Sequence, residues 1–300
     1  MLQELDTIKI NFDSESLFFL NLALAIIMFG VALNITLADF SRILKNPKSV
    51  LAGVLSQFIL LPAFTFLLVV LIKPSPSIAL GMFMVAACPG GNISNFMTNY
   101  ANGNSALSVS LTAIATLLAI VMTPFNFQLW SGLYEPTSLL INTISLSPFE
   151  MVKVISMLLG VPLVLGMLVR YYFPQFALKI APSFKIGSIL FFLLLIILAL
   201  SKNIDVFKKH IHYVFILVLV HNILALILGY SIGGLFKLSK KNKRTLAIET
   251  GIQNSGLGLL LIFSFFDGIG GMALLAAFWG IWHIVSGLIL ATYWSRKKIL

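Results

Sequence analysis

Glu249 and Gln253 stand four residues apart, as do Ser108 and Thr112, so each pair shares one face of any helix that carries it. Together with Ser94, Asn95 and Gln57 they offer side-chain oxygens, the ligand type taken by a hard cation such as sodium. Each lies within a long apolar run. Glu249 is the acidic residue placed inside such a run rather than at its end, and a carboxylate there needs a cation or hydrogen-bond partners. Two plainer readings compete. Serine and threonine in a membrane helix bond back to their own backbone, which would make Ser108 and Thr112 packing residues. Glu249 could also sit at the membrane surface beside Arg244. Gln253 and Asn254 lie a turn or more further along, where a surface position no longer accounts for them.

The elements that must position these groups are helices that cannot be continuous. Cys88-Pro89-Gly90-Gly91-Asn92-Ile93-Ser94-Asn95 puts a helix breaker, two glycines and three polar side chains in the middle of one apolar segment. Glu249-Thr250-Gly251-Ile252-Gln253-Asn254-Ser255-Gly256 is again polar and glycine-bearing inside another. Broken helices at mid-membrane depth turn amino-terminal ends toward anions and unwound carbonyls toward cations.

The rest of the chain supplies the setting. Its 300 residues are 59% hydrophobic and 10% charged, whereas a soluble domain carries roughly a quarter charged residues. Apolar runs long enough to cross a hydrocarbon core of about 30 Å recur throughout. They predict an all-α polytopic membrane protein with nine spans, near 17–37, 50–72, 78–101, 106–130, 151–173, 186–201, 214–236, 245–266 and 272–294. Helices are required because lipid leaves backbone groups no water partner, and the runs lack the alternation of barrel strands. The broken segments are the third and the eighth spans. Five is an odd separation, so the chain enters the membrane from opposite sides in the two, the pattern of an inverted repeat. Residues 1–130 would hold four spans of a first repeat and 147–298 the five of a second, with one helix missing at the amino terminus.

Charge sets the orientation. Arg42, Lys45 and Lys48 follow the first span, Arg170, Lys179 and Lys185 the fifth, and Lys237, Lys240, Lys241, Lys243 and Arg244 the seventh, while Arg296, Lys297 and Lys298 close the chain. Fourteen of the twenty basic residues thus share one side, which the positive-inside rule makes cytoplasmic. The amino terminus then lies outside and the carboxyl terminus in the cytoplasm. Glu4, Asp6, Asp13 and Glu15 make the amino terminus acidic, unlike a secretory signal, so the first span should persist. Trp130, Tyr134, Tyr171, Tyr172, Tyr293 and Trp294 fall at span ends, where amphipathic rings favour the interface. The formal charge of +10 is therefore a topology signal and not the basic face of a nucleic-acid binder. The run at 237–244 reads the same way, with anionic lipid head groups as its other partner.

Other reactive residues exclude more than they suggest. Cys88 is the single cysteine, which rules out an internal disulfide, and it reads as a small residue beside the break. No His, Cys and carboxylate group has the spacing of a transition-metal site. His221 with Asn222, and His283, read as interior hydrogen-bonding residues, and His210 and His212 as loop residues. Ser255 with His221 or His283 could imitate the serine–histidine pair of an intramembrane hydrolase, but no nucleophile motif accompanies it. A carrier that uses Glu249 as a proton site stays open.

The two break motifs, the Gly103 to Thr112 stretch with Ala106-Leu107-Ser108, Met28-Phe29-Gly30 to Leu37, Gln57 with Pro62, His221-Asn222, and Trp282-His283 with Ser286-Gly287 resemble the bile acid:sodium symporter family along nearly the whole chain. The resemblance implies a non-enzymatic sodium-coupled importer of an organic anion, bile acid-like or a small acid such as pantoate. It further implies a multi-pass protein of the plasma membrane, the inner membrane in a bacterium, with panel and core domains whose broken helices cross. As in the family's animal members, the first helix would be absent. Two sodium sites are implied. The first maps to Ser94, Asn95, Ser108, Thr112 and Glu249. The second maps to Gln57, Glu249, Thr250, Ile252 and Gln253, with backbone carbonyls from Thr250 and Ile252. Substrate would meet Asn92, Ile93, Asn254, Ser255 and His283 near the crossing. Asn92, where bacterial relatives often carry threonine, and Ile284, where bile acid carriers carry asparagine, leave the anion open.

Overall fold

Proline and glycine decide where these helices widen, break and stop. In a computed structural model, residues 4–7, 14–39, 41, 46–142, 147–201 and 204–297 are described; Asp13, Arg42, Lys45 and Lys298 lie outside them. The main helices, in chain order, are α1 (Ser14–Ala32), α2 (Pro47–Leu55, a π-helical turn Ser56–Leu60, then Leu61–Ile72), α3 (Pro76–Ala87) and α4 (Ile93–Tyr100). They continue with α5 (Ser105–Leu133), α6 (Pro148–Ile155, a π turn Ser156–Gly160, then Val161–Tyr172), α7 (Pro174–Ser201) and α8 (Ile204–Leu235). Last come α9 (Lys240–Gly251), α10 (Ser255–Phe265) and α11 (Gly270–Ser295). Among the described residues there is no β-strand, and five helices are long and apolar enough to cross a membrane: Pro47–Ile72, Ser105–Leu133, Phe149–Tyr172, Val214–Leu235 and Gly270–Ser295. Their outward faces carry Leu71, Phe149 and Leu235, each more than 75% exposed, a surface suited to lipid.

Each π turn ends two residues before a proline. Pro62 has no N–H, and its ring would strike the carbonyl four residues back, that of Phe58. The chain widens over Ser56–Leu60, and the freed Phe58 carbonyl accepts from Asn126 Nδ2 at 3.0 Å. The same widening precedes Pro162. Pro89 acts more strongly, since the residue before a proline is forced out of the helical region: Cys88 is extended at φ −69°, ψ 155°, and α3 stops at Ala87.

Glycines set how closely the helices lie. A Cβ on Gly229 of α8 would fall 2.3 Å from the Leu246 carbonyl oxygen of α9, and one on Gly271 of α11 would fall 2.0 Å from Ser77 Oγ of α3. On the other flank, a Cβ on Gly30 would meet Phe184 of α7 at 2.4 Å, and one on Gly166 of α6 would meet Ala32 of α1 at 2.5 Å. Backbones at such range leave no room for larger residues, the packing logic of membrane helices. The result is a trio, α1 with α6 and α7, beside a larger group in which α3, α8, α9 and α10 pack around α11.

Several expectations are revised. The sixth predicted span, 186–201, is only the end of α7, which begins at Pro174 and continues through Pro182. Proline at the first helical position is favourable, and Lys179 does not interrupt an amphipathic start. The eight-residue helix Glu135–Asn142 was not predicted at all. Both breaks are also shorter than their motifs: Ser94 and Asn95 already belong to α4, and Glu249 to Gly251 still belong to α9.

Candidate functional site

The two breaks meet. Gly91 donates its N–H to the Ile252 carbonyl at 2.6 Å and Asn254 donates to the Pro89 carbonyl at 2.8 Å, leaving Gly90 and Gln253 opposed in an isolated antiparallel bridge. Closeness requires glycine here. A Cβ on Gly91 would lie 2.8 Å from the Gln253 carbonyl oxygen, and one on Gly90 3.2 Å from that of Glu249.

Every severed helix end leaves orphan backbone groups that need partners. The carbonyl end of α3 is closed by two side chains from uninterrupted helices: Thr123 Oγ1 donates to Ala87 O and Gln57 Nε2 to Cys88 O, both at 2.8 Å. At the carbonyl end of α9, Asn222 Nδ2 donates to Gly251 O at 2.8 Å and Gln253 Nε2 to Thr250 O at 2.6 Å. The amino end of α10 is capped by Asn254, whose side chain accepts from the Leu257 N–H at 3.1 Å. The amino end of α4 differs, for the Asn92 side chain makes no capping bond there.

Beside this junction lies the first predicted oxygen set. Ser94 Oγ donates to Glu249 Oε1 at 2.6 Å, Ser108 Oγ donates to the same oxygen, and Thr112 Oγ1 donates to Oε2 at 3.2 Å. Asn95 Oδ1 stands 2.8 Å from Ser108 Oγ and 3.3 Å from Thr112 Oγ1. Three hydroxyl protons thus face five oxygen–oxygen contacts. Glu249 is only 6% exposed, and hydroxyl dipoles do not cancel a buried charge; the site calls for a positive ion or a proton. Arg244 supplies no such charge, since its guanidinium goes to the carbonyls of Ala101 at 2.7 Å, Trp294 at 3.0 Å and Lys297 at 3.3 Å, which corrects the picture of Glu249 as a surface residue beside it. Among the described residues no three His, Cys, Asp or Glu side chains cluster. One carboxylate among hydroxyls and an amide suits a hard, weakly charged cation.

The second set also converges. Gln57 and Gln253 exchange amide hydrogen bonds, at 2.9 Å and 3.2 Å, and Ser56 Oγ lies 2.8 Å from Thr250 Oγ1. The Ile252 carbonyl takes the Gly91 N–H and the Thr250 carbonyl takes Gln253, so these oxygens are joined within the protein. Glu249 stands in the last turn of α9, and its hydrogen bonds are to the hydroxyls of the first set.

The predicted substrate residues divide. Asn92 and Ile93, with Asn95 and Phe96, line a cavity of about 240 Å³ whose other lining residues include Gly30, Val31, Asn34, Val109 and Thr112. Asn254, Ser255 and His283 do not line it. His283 is 3% exposed with Nδ1 lacking a hydrogen-bond partner, and Ser255 is 2% exposed. His221 is bound to Thr65 Oγ1 at 2.7 Å with its ring against Trp279, so no serine–histidine pair forms with it. Ser56, Thr123 and Asn34 were absent from the predicted set. Asn34 carried a signal, a polar residue four beyond Gly30 near the end of an apolar run, whereas Thr123 is indistinguishable in sequence from any threonine in a span.

The chain is similar to known proteins over most of its length. The chain is 32% identical over 293 residues to an uncharacterised sodium-dependent transporter of Bacillus subtilis, covering 96% of this chain and 88% of that one. It is 30% identical to a probable chloroplastic sodium/metabolite cotransporter of Oryza sativa, covering 92% of this chain and 64% of that longer protein. With the ileal sodium/bile acid cotransporter of Homo sapiens it shares 29% identity over 79% of this chain and 67% of that one. The family model described as the sodium bile acid symporter family matches residues 21–210. This multi-pass membrane protein belongs to the sodium bile acid symporter family, a family of transporters rather than enzymes.

Proposed function

We propose that this protein is a sodium-coupled symporter that imports an organic anion by alternating access. One observation carries it: a buried carboxylate, Glu249, enclosed by the hydroxyls of Ser94, Ser108 and Thr112 and the amide oxygen of Asn95. A proton needs a single acceptor, whereas a hard cation uses several oxygens at once. Sodium dependence in the names of relatives from bacteria, plants and animals supports the same choice. Gln57, Thr250, Ile252 and Gln253 would give a second sodium site sharing Glu249.

The anion would enter the cavity at the amino end of α4, where no side chain caps the helix and the positive end of its dipole favours a carboxylate. The antiparallel bridge between the breaks supports an inverted repeat, since a twofold axis in the membrane plane reverses one break relative to the other. On that plan the nine predicted spans stand with the amino terminus outside, the trio α1, α6 and α7 is the panel, and the remaining helices are the core. Sodium binding would order the junction and the core would move against the panel.

Two sodium ions, the Glu249 carboxylate and a monoanion sum to zero in the loaded site, so the cargo carries one positive charge across. Uptake into proteoliposomes of the purified protein is expected to need external sodium and to rise with an inside-negative potential. Equal flux in potassium or choline would overturn sodium coupling, and a pH gradient that replaces sodium would assign Glu249 to protons instead.

A further inference from the structure

We infer that Asn222 is a positioning residue for the second sodium site, holding the carbonyl end of α9 as Gln57 holds that of α3. The inference rests on the sodium sites proposed above. Gln57, on α2, donates to Cys88 O just past the end of α3; Asn222, on α8, donates to Gly251 O, the last residue of α9. Both distances are 2.8 Å and both amides are buried. Each broken helix thus ends on a side-chain amide presented by an uninterrupted neighbour.

The second amide is itself held. Gly251 O is its acceptor, which turns Oδ1 of Asn222 toward α11, where Ser286 Oγ donates to it at 2.5 Å. The amide therefore cannot rotate without breaking a bond on each side. The peptide it grips is pinned at its other edge too, since the Ile252 N–H bonds the Ile248 carbonyl at 2.9 Å. With that peptide plane fixed, the carbonyls of Thr250 and Ile252 on either side keep their directions, and these are the backbone ligands proposed for the second site. Close packing prevents compensation by sliding: a Cβ on Gly251 would stand 2.2 Å from Leu226 of α8. Asn222 also ties the sodium site to α11, whose Ser286 lies three residues beyond His283.

A purely structural cap predicts something different, namely less folded protein with unchanged sodium affinity in what remains. The test measures the sodium half-saturation of uptake and of thermal stabilisation for Asn222→Ala and Ser286→Ala in proteoliposomes and in detergent. Gln57→Ala and Glu249→Ala serve as controls. Asn222→Ala is expected to raise the half-saturation about tenfold, the equivalent of one hydrogen bond, with the substrate KM at saturating sodium unchanged. Ser286→Ala, which preserves the donor to Gly251 and loosens the amide, is expected to raise it about threefold, and Ser286→Thr to restore it. Where Asn222→Ala does not fold, Ser286→Ala decides. Sodium titrations of both variants within twofold of the wild type, while Gln57→Ala is shifted, would overturn the inference alone. Unshifted titrations in Gln57→Ala and Glu249→Ala as well would overturn the sodium sites and the inference with them.

Discussion

Gly91 and Ile252, 161 positions apart in the chain, are joined by a backbone hydrogen bond of 2.6 Å that makes one junction of two broken helices. Gly91→Ala puts a Cβ 2.8 Å from the Gln253 carbonyl oxygen, so the bridge must open. The expected outcome is loss of transport with membrane insertion retained, read as uptake normalised to protein in the membrane. Wild-type uptake would show that the junction is not needed.

Three hydroxyls surround Glu249, and the effect of removing them should be graded. Ser108→Ala takes away an oxygen shared between Glu249 and Asn95, and about a tenfold rise in the sodium half-saturation is expected. Glu249→Gln, which removes the charge, is expected to abolish sodium-dependent stabilisation. Sodium titrations of thermal unfolding in detergent measure both, and an unchanged midpoint in either would place the ion elsewhere.

Val31 lines the same cavity as Asn92 and Ile93 and is not among the residues of the proposed sodium sites. Val31→Trp fills a space of only about 240 Å³. Substrate uptake should fall at least tenfold while sodium still raises the unfolding temperature. Equal loss of both responses would show that the substitution disturbs the core rather than the cavity.

Thr123 is fully buried and serves the Ala87 carbonyl at the end of α3. Thr123→Val keeps the shape and strands that carbonyl, at a cost of about 1–3 kcal/mol. Thermal unfolding of the purified variant should show the loss; a cost below about 0.5 kcal/mol would mean that another donor reaches Ala87.

Much of this protein could be read from residue order alone, because membrane solvation acts on each segment separately. A run of apolar residues must be helical in lipid whatever lies next to it, and proline with paired glycines must interrupt a helix wherever it occurs. Hence Pro89-Gly90-Gly91 and the polar 249–256 segment marked both breaks, and the i, i+4 spacing placed Ser108 with Thr112 on one face. Local rules went wrong where charge was mistaken for a loop, as at Lys179 in the first half of α7.

What the sequence could not contain is which orphan group each polar side chain meets, since those partners are up to 196 positions away, as for Gln57 and Gln253. Thr123, Asn126 and Asn222 look alike in an apolar run. Only the fold assigns them to Ala87, Phe58 and Gly251, because a backbone group freed by proline or glycine in lipid must be satisfied by whatever donor the packing brings within reach. The same packing divided the predicted substrate residues, setting Asn92 and Ile93 at the cavity and enclosing Ser255 and His283 in the interior.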